Sequence, residues 1–133
     1  MQEVVQRVMD QRARQGYARA ILTLIVLDLV WIYTVMGPKY AIMGRAVQGG
    51  RDVTLRLLPA VVSYALMVVG LQVFVLSRLH RSRRVARGAL FGAIVYGLYN
   101  GTCMSIFADW SPTVAALDTA WGAAVFAVAA RVS

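Results

Sequence analysis

The groups able to do chemistry in this sequence are polar side chains set inside long apolar stretches: Asp28, Asn100 and Asp118. An ionisable side chain in hydrocarbon costs a few kcal/mol unless it is paired or wetted. Neither Lys nor Arg stands at a similar depth to neutralise either acid. Both aspartates open the same short pattern, Leu27-Asp28-Leu29-Val30-Trp31 and Leu117-Asp118-Thr119-Ala120-Trp121. A spacing of three puts Asp and Trp on one helical face. An indole N–H donates and a carboxylate accepts, so the pattern predicts a local or interhelical pair. Tyr96, Tyr99, Asn100 and Cys103 fall within an arc of about 100° on one helix. With Tyr64, Trp31 and Trp121 these residues form a candidate polar pocket or proton relay. The plainer alternative is structural: polar groups bonding across helices, worth about 0.5–2 kcal/mol each.

The elements that must hold these groups are apolar runs of about 20 residues, the length that crosses a hydrocarbon slab about 30 Å thick. The sequence predicts spans over residues 18–36, 59–77, 88–107 and 112–130. Gly37-Pro38 is expected to end the first, because proline cannot continue the helical ladder. A loop over 38–57 then turns at Gly49-Gly50. Pro59 and Pro112 suit the first helical position, and Trp110 suits the water–lipid interface. At 1.5 Å per residue, Asp28 lies roughly 15 Å deep and Asp118 roughly 9 Å. Gly88/Gly92 and Gly97/Gly101 give the third span two small-residue faces, so it is expected to pack on two sides. The expected fold is all-α: an integral membrane four-transmembrane-helix bundle over residues 17–133, preceded by a short amphipathic N-terminal helix over 1–16 lying on the membrane surface.

The net charge of +8 belongs to the ends of the apolar runs. That placement excludes a nucleic-acid reading and suits anionic lipid headgroups. Arg78, Arg81, Arg83, Arg84 and Arg87 form the densest cluster, a candidate headgroup site as well as an orientation signal. Four spans put both termini and this loop on one side with ten Lys and Arg, against four on the other. The positive-inside rule therefore predicts cytoplasmic termini.

Lone Cys103 and lone His80 predict no disulfide, metal site or cofactor. No Ser/His/Asp set and no phosphate-cradling loop is present, so the chain is not expected to be an enzyme. The first span is expected to stay in the membrane, because no small-residue cleavage site follows it.

The first-span LDxxW, Gly37-Pro-x-Tyr40, Gly88-Ala-Leu-Phe-Gly92, Tyr96-Gly-x-Tyr-Asn-x-Thr102 and the 117–122 LDxxWG, in this order, resemble the membrane family called domain of unknown function 2177. The resemblance covers residues 18–130 and implies a four-helix membrane protein with no assigned reaction; the charged segment 1–16 departs from it. Two functions are expected on these grounds. One is a small proton- or solute-translocating protein that would need a homo-oligomer. The other is an accessory protein binding lipid or a partner within a membrane-associated complex.

Overall fold

The computed structural model describes residues 1–76 and 80–133, and of Arg81 the backbone alone. The expected end of the second span at Ser77, and the headgroup role given to Arg78 and to the Arg81 side chain, fall outside the described residues. The chain forms α1 (Gln2–Trp31), α2 (Gly37–Val47), α3 (Leu57–Gly70), α4 (Arg81–Ile106) and α5 (Pro112–Val132). Two π-helical segments, Ile32–Met36 and Leu71–Val75, extend α1 into α2 and prolong α3. Among the described residues, four helical stretches are long and apolar enough to cross a bilayer: Gln2–Val47, Leu57–Val75, Ser82–Ile106 and Pro112–Val132. Ser111 Oγ accepts from the Val114 N–H at 3.4 Å to start α5, with Pro112 in its first turn.

Two expectations for the first helix are corrected. The N-terminal segment is no separate short amphipathic helix; it is the start of α1, whose thirty residues contain no proline. Gly16 does not interrupt it, because its bare backbone packs against the Ser133 backbone, and a Cβ there would come to 2.9 Å. Nor does Gly37-Pro38 end the helix. At Ile32–Met36 the ladder widens to a five-residue step, with the Gly37 N–H donating to the Ile32 carbonyl. Pro38 then sits in the first turn of α2, where a missing N–H is tolerated. The loop is therefore shorter than expected. It turns on Gly49 and Gly50, whose φ values of 64° and 87° favour glycine.

Helix α5 is the central element, packed along α4 and α1. Where α4 crosses it, a Cβ on Gly92 would strike the Gly122 carbonyl, and one on Gly88 would come within 2.5 Å of the Phe126 carbonyl. Missing side chains thus set the distance of approach. The other glycine pair behaves differently. Gly97 would meet only the Thr119 methyl, at 3.4 Å, and Gly101 would meet nothing, so among the described residues this pair seats no second backbone; the other packed side of α4 is the end of α3, held through Phe91.

Two apolar clusters result. Ala20, Leu24, Leu71, Val75, Leu76, Val125, Phe126, Ala129 and Ala130 fill one end. Met43, Trp110 and Ala115 fill the other, with Tyr40 and Phe107 against them. Trp110 is thus buried against the protein. Helix α3 joins the bundle through its π-helical end, where Gly70 lies against the Phe91 ring. Leu57, Leu58, Val61, Val62 and Leu66, nearer its start, are exposed.

Candidate functional site

Between the two apolar clusters lies the polar centre. Asp28 is 2% exposed, Asn100 1% and Asp118 2%. Asp28 accepts from the Tyr96 hydroxyl at 2.5 Å and the Trp121 indole at 3.2 Å on Oδ1, and from the Tyr64 hydroxyl at 2.7 Å on Oδ2. Asp118 accepts from the Trp31 indole at 3.1 Å on Oδ1. Its Oδ2 accepts from the Tyr40 hydroxyl and the Asn100 amide, both at 2.8 Å. The Trp110 indole donates to Asn100 Oδ1 at 3.2 Å, and the Asn100 amide also reaches the Tyr96 carbonyl at 3.0 Å.

The two LDxxW copies therefore exchange partners. Each tryptophan donates to the aspartate of the other copy, and their rings stack with centroids 4.5 Å apart and planes 7° from parallel. The i, i+3 spacing brings Asp and Trp onto one face of each helix, and the crossing of α1 and α5 pairs them between helices. Each carboxylate holds three neutral donors and has about four lone-pair sites, so one acceptor position remains on each.

Of the eight residues expected here, seven are brought into one network. Tyr99 stands apart from both carboxylates and packs edge-on to Tyr40 and Trp110 at centroid distances of 6.5 and 5.9 Å. Two further residues join the network without a clear sequence signal. Trp110, which its turn suits to the interface, also holds Asn100 through its indole. Tyr40 lies in α2, where the sequence predicts a loop. Along an unbroken α-helix it would lie about 120° from Asp28; the wide turn at Ile32–Met36 absorbs one residue and brings it to about 20°. The one signal for it was its place in the Gly-Pro-x-Tyr motif.

A cavity of about 480 Å³ opens onto this network. Asp28, Tyr40, Tyr64, Tyr96 and Asp118 supply its polar floor, and Ile32, Met67, Phe91 and Val95 its apolar walls. Ser63, Leu66 and Tyr99 line it and are also exposed, so it opens on the side of the bundle between α3 and α4. Among the described residues, no Lys, Arg or His lines it.

The arginine cluster is distributed differently. Arg83 and Arg87 are exposed. Arg84 is half-buried, and its Nη1 donates to Ser133 Oγ at 3.4 Å. With Arg12 and Arg19 of α1 it borders a smaller cavity of about 240 Å³. The Arg84 Nε is buried without an acceptor among the described residues.

Four apolar helices around an intramembrane polar network define an integral, multi-pass membrane protein. Residues 14–133 match the family described as Predicted membrane protein (DUF2177), and the chain belongs to that family. No curated protein and no solved structure matches it.

Proposed function

We propose that the protein moves protons or a small solute across the membrane, with Asp28 and Asp118 as its central acceptors. One observation carries this reading: two buried carboxylates, bound only by neutral donors, line a cavity that no basic side chain of the described residues enters. Structural ties between helices need no cavity, and acids at this depth mark ion and substrate pathways more often than packing. The hydroxyls of Tyr64, Tyr96 and Tyr40 extend the acceptor path beyond the carboxylates. Both termini lie in the cytoplasm on this reading, following the ten-to-four bias of basic residues. Assembly with further copies would complete a path that one four-helix chain is thin to enclose.

Reconstituted vesicles test it. A proton or solute gradient should relax faster with protein than without, and Asp28→Asn and Asp118→Asn should remove the increment. Parental flux in both folded variants would overturn the reading. A second reading, lipid binding by an accessory protein, is favoured by the convergence of Arg12, Arg19 and Arg84 on one small cavity. It predicts co-purified anionic lipid that is lost in Arg84→Gln.

A further inference from the structure

We propose that the cavity over Asp28 and Asp118 binds a lipophilic organic cation, reached sideways from the bilayer through the gap beside Leu66. The proposal rests on the translocation reading and names the class of molecule its site would take. Three observations converge on it.

The first is charge. Two carboxylates share the cavity, and among the described residues only neutral O–H and N–H groups answer them. One acceptor position remains on each, and the phenol oxygens add lone pairs. The floor is thus rich in acceptors, which suits a positive ligand and repels an anionic one.

The second is the aromatic lining. Tyr40, Tyr64, Phe91, Tyr96 and Tyr99 all border the space. Aromatic faces attract a cation through the ring quadrupole, most strongly where water is excluded. Carboxylates alone would suit a bare metal ion or a proton equally well. Carboxylates among rings and aliphatic walls suit a cation with an apolar body.

The third is size and access. About 480 Å³ lies within the usual range for small-molecule sites and far exceeds the needs of a proton or an alkali ion. Leu66, 67% exposed, and Tyr99, 49% exposed, stand on the outer surface of the bundle and line the cavity too. An apolar cation dissolved in the membrane would reach the carboxylates without crossing a headgroup layer.

The full-length chain in neutral detergent should bind tetraphenylphosphonium saturably in equilibrium dialysis. It should not bind tetraphenylborate, an anion of nearly the same size and shape. The contrast is informative because the chain carries a net charge of +8, so attraction by the protein's overall charge would favour the anion. Leu66→Trp, which fills the opening from an exposed position outside the hydrogen-bond network, should weaken cation binding about tenfold or more. Asp28→Asn should weaken it by about tenfold, the loss expected for one charge-assisted contact.

Equal uptake of both ions, or undiminished binding by Leu66→Trp, would overturn the proposal whether or not Asp28→Asn folds. Saturable cation binding by a protein that carries no flux would refute translocation and leave this site standing. Proton flux with no saturable cation binding would do the reverse.

Discussion

At the scale of single residues, the exchange between the LDxxW copies makes sharp demands. Trp31→Phe keeps a smaller ring to stack on Trp121 and removes the N–H that serves Asp118 together with the fused second ring. The carboxylate then keeps two donors, and the expected loss is about 1–2 kcal/mol of unfolding free energy in detergent. Trp121→Phe should cost a similar amount through Asp28. A truncation of either indole that costs nothing would mean that the pairing contributes no stability. Tyr40→Phe removes the donor that the sequence did not disclose, and should destabilise by about 1 kcal/mol. Asp28, Asp118, Tyr64, Tyr96 and Asn100 were legible because a polar group inside a 20-residue apolar run has few reasons to be there. The reciprocity was not legible, since it depends on how α1 crosses α5, a relation between residues some ninety positions apart. Trp110 escaped for a related reason: an indole beside a turn suits a water interface until the turn folds it onto Asn100.

At the scale of elements, two features of the helices can be separated by mutation. Gly92→Ala forces a methyl into the Gly122 carbonyl and should cost about 1–3 kcal/mol, as overpacking does. Gly101→Ala, on the same helix, meets nothing and should change stability by no more than about 0.5 kcal/mol. Hydropathy does not distinguish these glycines, and both belong to a GxxxG pair; the difference is that Gly92 lies against the α5 backbone and Gly101 against open space. The π-helical turn at Ile32–Met36 is likewise invisible to hydropathy, which reads length and not angular phase. One alanine inserted between Met36 and Gly37 turns the rest of the helix by about 100° and takes Tyr40 off the site. The exposed loop beyond Val47 absorbs the shift, but the same turn takes buried Met43 away from Trp110 and Ala115, so the insertion should cost more than Tyr40→Phe, by about 2 kcal/mol or more. A loss no larger than that of Tyr40→Phe would mean that Met43 contributes little to holding α2.

At the scale of the whole molecule, four crossings return the chain to the side on which it began. Cysteine labels at residue 3 and residue 132, in a Cys103→Ala background, should react from the same face of sealed vesicles. Labelling from opposite faces would refute the four-span topology. The way the bundle is tied together has a mechanical consequence as well. Helices α1, α4 and α5 form one body, closed by the glycine seam and the exchanged tryptophans. Helix α3 is a cantilever: it is anchored at its π-helical end by Gly70 and Leu71 and latched midway by the Tyr64–Asp28 hydrogen bond. Ser63, Tyr64, Leu66 and Met67 of this one beam line the cavity, so the angle at which it leans sets the width of the gap above the two acids.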